Sequence, residues 1–105
     1  MTHILDRLAE TIVARKGADP EESYTASVLA RGREGAAAKF KEESAEFIEA
    51  VLKETPDRIT AEATDVIYHM LVAMAAADVP VSDLWAELEK REGVSGHAEK
   101  AARAD

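Results

Sequence analysis

Residues 58–78 form the most apolar long segment of the chain, yet they carry Glu62 and Asp65 among their apolar side chains. At about 100° per residue, a helix over this range has apolar residues on both of its sides. A helix of this kind must be covered on both sides by other parts of the fold. One side carries Ala63, Val66, Ile67, Met70 and Met74, and the opposite side carries Val72 and Ala76.

Apolar residues elsewhere in the chain also recur at helical spacing, and no window shows the alternation that marks a half-buried strand. A long helix over about 34–54 is expected to bury Phe40, Phe47, Ile48 and Val51. The other predicted helices are one that ends at Gly17, a short one capped by Ser23 and stopped by Gly32, and one capped by Ser82 that ends at Gly93. We therefore expect an all-α fold, an antiparallel bundle of four to five helices.

The length and composition restrict the kind of protein. With 105 residues, the chain is expected to form a single domain over 1–105, whose polar tail, 94–105, is a weak helix or partly ordered. The net charge of −8 argues against nucleic-acid or membrane partners bound through their phosphates. The absence of cysteine excludes disulfides and thiolate metal sites. We expect a cytoplasmic protein, and a homodimer, because residues 58–78 have more apolar surface than three short neighbours can cover.

Carboxylates stand at i, i+3 spacing on both long helices. Glu43 and Glu46 lie on the first of these helices, and Glu62 and Asp65 lie on the second. Two antiparallel helices can bring the four side chains together, and buried carboxylates are costly unless they are paired or bound to a cation. No Lys or Arg on the second helix is expected to supply that pairing. An all-oxygen set of ligands suits Mg²⁺, with Mn²⁺ as a substitute.

Two other interpretations of these acids have to be weighed. Acidic residues on helices are commonly a solvated surface, which would leave a helical dimerisation module without catalysis. A carboxylate-bridged di-iron site uses a Glu-x-x-His pair on each of two helices, whereas here the corresponding residue is Asp65. His69, one turn after Asp65, is expected to be a packing residue.

Basic residues near the acids favour phosphate chemistry, because an acidic metal site needs nearby cations to hold an anionic substrate. The chain has no glycine-rich phosphate loop, no Ser-His-Asp order and no cysteine nucleophile. Direct attack by water on a polyphosphate is the mechanism that remains, with the metal ion neutralising charge. The basic residues concerned are Arg31, Arg33, Lys39, Lys41, Lys100 and Arg103.

The order Lys39-x-x-Glu42-Glu43-x-x-Glu46, followed by Glu62-x-x-Asp65, resembles the signature of the MazG-like all-α nucleotide pyrophosphohydrolases. Three further runs are similar to those of the phosphoribosyl-ATP pyrophosphohydrolase family, and the similarity covers almost the whole chain. They are Ser23-Tyr24-Thr25, the run from Glu62 to Val72, and Ser95-Gly96-x-x-Glu99-Lys100-Ala101-x-Arg103. The last run discriminates best between this family and other MazG-like proteins.

This resemblance implies hydrolysis of phosphoribosyl-ATP to phosphoribosyl-AMP and pyrophosphate in histidine biosynthesis, by a homodimer that uses Mg²⁺. On the matching positions the metal ligands would be Glu43, Glu46, Glu62 and Asp65, while Glu42 would complete the acidic wall or orient water. The substrate-binding candidates are Arg33, Lys39, Ser95, Lys100 and Arg103. One departure is Lys41, which stands where the family typically has glycine. The alternative enzyme is a house-cleaning nucleoside triphosphate pyrophosphohydrolase with the same metal site.

Overall fold

The computed structural model describes residues 3–93 together with Lys100 and Arg103, and within these residues it contains helices and no strand. The prediction of an all-α fold is therefore confirmed. Within residues 3–93 the helices are α1 (Ile4–Ala14), α2 (Tyr24–Ala30), α3 (Gly32–Lys53), α4 (Pro56–Ala76) and α5 (Val81–Arg91).

The boundaries of α2 follow from local side-chain chemistry. The Ser23 hydroxyl accepts a hydrogen bond from the backbone N–H of Ala26 at 3.1 Å, which satisfies one of the free donors at the start of the helix. Gly32 has a φ of +71°, the left-handed conformation that ends a helix at little steric cost. Both boundaries predicted from the sequence are confirmed, and α3 begins directly at Gly32.

The two long helices, α3 and α4, make the most extensive helix–helix contact of the described residues and run antiparallel. Pro56 is the first residue of α4, a position where its missing N–H is not needed. The connection between the two helices is short, because α3 ends at Lys53. The start of α3 meets the end of α4, where Arg33 Nη2 donates to the Ala77 carbonyl at 3.3 Å. The middle of α3 meets the first half of α4, where the acids lie.

The core is built around α4, which packs against α1, α2 and α3. This arrangement agrees with a helix that is apolar on more than one side. It also tethers α1 to the end of α4, because Lys16 Nζ donates to the Ala75 carbonyl at 2.9 Å and pairs with Asp78. The buried core residues are Ile12, Val28, Leu29, Ala36, Leu71, Val72 and Ala75.

Three details of the sequence prediction are wrong for the single chain. On α3, Ile48 and Val51 are 60% and 52% exposed rather than buried, while Phe40 and Phe47 are half-buried. On α4, Ile67 is also exposed, because the buried side of this helix is centred on His69 and Val72. Ser82 does not cap the last helix, since α5 begins at Val81 after Pro80.

The predicted tail falls mostly outside the described residues, which leave out 94–99, 101–102 and 104–105. Among the residues that are described, no single helix is long and apolar enough to cross a membrane. Taken together, α4 and α5 have the length and apolar composition of a membrane-spanning segment, but the two helices are bent by 116° relative to each other.

Candidate metal centre

Three carboxylates from the two long helices converge where the middle of α3 faces the first half of α4. Glu43 projects from α3, and Glu62 and Asp65 project from neighbouring turns of α4. One oxygen from each residue lies within 4.8 Å of the other two. Glu43 and Glu62 are 9% and 6% exposed, whereas Asp65 is open to solvent. The result is an acidic cluster with a buried floor and an open rim.

Glu46 and Glu42 stand beside this cluster in different ways. The Glu46 carboxyl is exposed, one turn after Glu43, and after burial its charge contributes to the raised pKa of Glu43 and of Glu62. The Glu42 carboxylate is largely exposed and lies 3.7 Å from the Lys39 ammonium. Glu46 thus borders the three converging acids, and Glu42 faces the Lys39 ammonium next to them.

The neighbouring cations Arg58 and Lys39 compensate the negative charge of the cluster only in part. Burial raises the pKa of Glu43, and the nearby carboxylate of Glu46 raises it further. Burial also raises the pKa of Glu62, although Arg58 opposes the shift. Among the described residues, Glu62 Oε2 is a buried oxygen without a hydrogen-bond partner. An orphaned carboxylate oxygen within an all-oxygen set of donors fits a hard divalent cation.

One expectation about these acids is wrong, because α4 does carry a cation that pairs with them. Arg58 lies one turn before Glu62, and its Nη2 is 2.5 Å from Glu62 Oε1. The i, i+4 spacing of the pair is the usual geometry for a helical ion pair and could have been identified from the sequence. Arg58 compensates only one oxygen of Glu62, so the other remains unsatisfied.

The comparisons with known proteins bear directly on this site. The family model described as "Phosphoribosyl-ATP pyrophosphohydrolase" matches residues 5–92, a range that includes all five acids. The chain belongs to this family. Its similarity to curated members extends over nearly their full length. A protein of Cereibacter sphaeroides named phosphoribosyl-ATP pyrophosphatase is 54% identical over 95% of this chain and 97% of its own.

Two further relatives with the same name give the same picture. That of Dinoroseobacter shibae is 53% identical over 95% of this chain and 98% of its own, and that of Paracoccus denitrificans is 54% identical over 94% and 92%. The family predicted from the sequence motifs is therefore confirmed, and with it an enzyme of the hydrolase class.

In this phosphoribosyl-ATP pyrophosphohydrolase fold, His69 is a buried packing residue, as the sequence predicts. Its Nδ1 lies 2.9 Å from the Asp65 carbonyl oxygen, and its Nε2 lies 3.0 Å from the Tyr24 hydroxyl. Because a carbonyl only accepts, Nδ1 is the donor to Asp65, and the second ring nitrogen shares a hydrogen bond with the Tyr24 hydroxyl.

Tyr24 is the site residue that sequence reasoning missed. It belongs to α2, is half exposed, and its hydroxyl contacts His69 Nε2. The neighbouring Tyr24 phenol, followed by the Glu42 carboxylate, raises the pKa of Lys39, whose ammonium also lies 3.7 Å from Glu43. The available signal was the Ser23-Tyr24-Thr25 run, which marks the family without revealing which groups the phenol contacts.

Among the other substrate-binding candidates, Arg33 lies away from the acids. Arg33 contacts Ala77, twelve residues after Asp65, which corresponds to about 18 Å along a helix. Lys100 and Arg103 are helical and exposed, while Ser95 lies outside the described residues. A cavity of about 540 Å³ between α1 and the end of α4 lies away from the cluster, and its lining includes none of the five acids.

Proposed function

We propose that this chain hydrolyses phosphoribosyl-ATP to phosphoribosyl-AMP and pyrophosphate, a step of histidine biosynthesis, at a divalent-cation site formed by the acidic cluster. The activity is that of the family to which the chain belongs. The observation that carries the assignment of the site is the convergence of Glu43, Glu62 and Asp65, in which a buried oxygen of Glu62 has no partner among the described residues.

The proposed ligands are Glu43, Glu46, Glu62 and Asp65, and the cation is Mg²⁺, with Mn²⁺ as a substitute. When bound, Mg²⁺ supplies charge neutralisation for the phosphates and lowers the pKa of water in the site. The buried pair Glu43 and Glu62 forms the floor, while exposed Glu46 and Asp65 leave the rim open to a large anionic substrate. Water would attack a phosphorus atom of the α–β phosphoanhydride, which would break the bridging P–O bond and release pyrophosphate and a proton, and Glu42 at the edge would orient this water.

Lys39 is the cation best placed to meet the phosphates. Its ammonium lies 3.7 Å from carboxylate oxygens of both Glu42 and Glu43, and Tyr24 is beside it. These neighbours keep the ammonium at the border of the cluster, where it can attract a phosphate without occupying the space between the acids. For the other candidates, Arg33, Ser95, Lys100 and Arg103, a role in binding stays a prediction.

The working unit is proposed to be a homodimer. Ile48, Val51 and Leu52 stand at i, i+3 and i+4 on one face of α3, and Leu52 is 75% exposed in the single chain. A contiguous exposed apolar face of this kind marks an association surface. Sedimentation velocity should show a dimer for the wild-type chain, a monomer for Ile48→Lys, and a dimer for the control Leu88→Lys, which alters an exposed apolar residue of α5. A monomeric wild-type chain would contradict the proposal.

The decisive test of function is turnover of phosphoribosyl-ATP by the purified chain with and without Mg²⁺. We expect hydrolysis that depends on the cation and releases pyrophosphate. A panel containing ordinary and oxidised nucleoside triphosphates tests the house-cleaning alternative, which predicts a higher kcat/KM for those substrates. Absence of both turnover and cation binding would favour the dimerisation module. A cytoplasmic location stays a prediction.

A further inference from the structure

Glu62 is held asymmetrically by its surroundings. Its Oε1 accepts a hydrogen bond from Arg58 Nη2 at 2.5 Å, whereas its Oε2 is buried and has no partner within the described part of the chain. Arg58 itself is about half exposed, and its Nε lies 3.8 Å from Glu54 Oε1 one turn earlier. The guanidinium therefore approaches Glu62 from the solvent side and also faces Glu54, the residue that directly follows α3.

This arrangement restricts the orientation of the Glu62 carboxylate. A glutamate side chain has several rotatable bonds, and ordering it in a buried site costs conformational entropy. A charge-assisted hydrogen bond to one oxygen removes much of that freedom, because the second oxygen is rigidly attached to the first. With Oε1 held by Arg58, a Glu62 oxygen is kept within 4.8 Å of oxygens of Glu43 and Asp65.

We propose that Arg58 is a positioning residue of the cation site, which holds Glu62 through one oxygen so that the other faces the cation. The inference rests on the cation site of the proposed function and extends it to a residue that is not itself a ligand. Outer partners of this kind orient a ligand and change cation affinity by about 10- to 100-fold when they are lost.

The opposite role for Arg58 has a different signature. If the guanidinium were a competitor for the acids, its removal would free Glu62 and raise the affinity for a dication. The geometry favours positioning, because Arg58 is 55% exposed at its side chain and the buried oxygen stays unpartnered although Arg58 is present. Solvent also screens the repulsion between an exposed guanidinium and a bound cation.

The test is a calorimetric titration of the full chain with Mg²⁺, repeated with Mn²⁺, for wild type, Arg58→Gln and Arg58→Lys. The matched control is Lys53→Gln. Like Arg58→Gln, it removes one positive charge from an i, i+4 ion pair, here the exposed pair of Lys53 and Glu49. Lys53 lies ten residues after Glu43, about 15 Å along α3. We expect Arg58→Gln to lose about 10- to 100-fold in affinity, Arg58→Lys to lose less, and the control to match wild type.

Turnover supplies a second readout that separates positioning from chemistry. For Arg58→Gln, saturating Mg²⁺ should restore most of kcat, because all four proposed ligands remain. An affinity equal to that of the control, or higher than that of wild type, would overturn the proposal, and Arg58→Lys decides the matter if the glutamine variant does not fold. If the wild-type chain binds no cation, the proposed cation site fails together with the role of Arg58. If the wild-type chain binds the cation and Arg58→Gln binds it as well as the control does, only the role of Arg58 fails.

Discussion

Replacing Glu62 with glutamine tests the cation site at its most buried ligand. The side chain keeps its size, and the amide oxygen can still accept from Arg58 in place of Oε1. The change replaces the orphaned oxygen Oε2 with an uncharged NH₂ group, which cannot bind a cation. Burial and the neighbouring carboxylates already raise the pKa of Glu62, so the loss of its charge should not destabilise the cation-free fold.

The size of the effect follows from linkage between binding and folding. Loss of an outer partner costs about 10- to 100-fold in affinity, and we place loss of a direct ligand at about 100-fold or more. At a cation concentration of 100 times the wild-type Kd, binding stabilises the wild-type fold by about 2.7 kcal/mol. At the same concentration, a chain with 100-fold weaker binding gains only about 0.4 kcal/mol.

Thermal unfolding measures this difference directly. For a domain of about 100 residues, 1 kcal/mol corresponds to about 4 °C in Tm. The wild-type chain should therefore gain about 10 °C at that Mg²⁺ concentration, whereas Glu62→Gln should gain about 2 °C or less. The control is Glu87→Gln, which alters the i, i+4 pair with Arg91 on α5 and should behave as wild type. A Glu62→Gln variant with the full wild-type gain in Tm, or with substantial turnover, would refute the reasoning.

Two further predictions concern charge at the same site. Lys39→Met should raise KM for phosphoribosyl-ATP by about 10-fold or more, because it removes one charge-assisted contact with the substrate. The control is Lys41→Met, which changes an exposed lysine of the same helix and should leave KM unchanged. Equal KM values for the two variants would show that Lys39 does not bind the substrate. The raised pKa values of Glu43 and Glu62 mean that, above their ordinary value of 4.5, the folded chain binds more protons than the unfolded one, so this contribution to stability falls as pH rises. With a chelator present, Glu43→Gln should therefore have a higher Tm than wild type, and the difference should be larger at pH 7.5 than at pH 5. Addition of Mg²⁺ should abolish this difference in Tm. A difference that does not depend on pH would contradict the raised pKa of Glu43.

Features that depend on neighbouring residues were accessible from the sequence. Ser23 caps α2 and Gly32 ends it because capping and left-handed backbone are decided within a few residues. The pair Arg58 and Glu62 belongs to the same class, since i, i+4 contacts form on any regular helix, so its spacing alone predicts the contact.

Features that depend on distant residues were not accessible. The Tyr24 hydroxyl meets His69 across 45 positions of the chain, and no periodicity encodes that contact. The exposure of Ile48 and Val51 was predicted wrongly because a helical stripe shows which residues share a face, without showing what covers that face. In a small helical chain the covering element can belong to a second subunit.

The sequence by itself determined the helices, the i, i+3 spacing of the acids and the family, because helical geometry is local and the motifs are linear. Only the tertiary structure decided which carboxylates meet, and it brings Glu43, Glu62 and Asp65 together by running α4 back along α3. It also decided that Arg58 satisfies one oxygen of Glu62 and leaves the other buried. The physical reason is that convergence, burial and the pKa shifts that follow from burial depend on how helices pack, which local spacing does not specify.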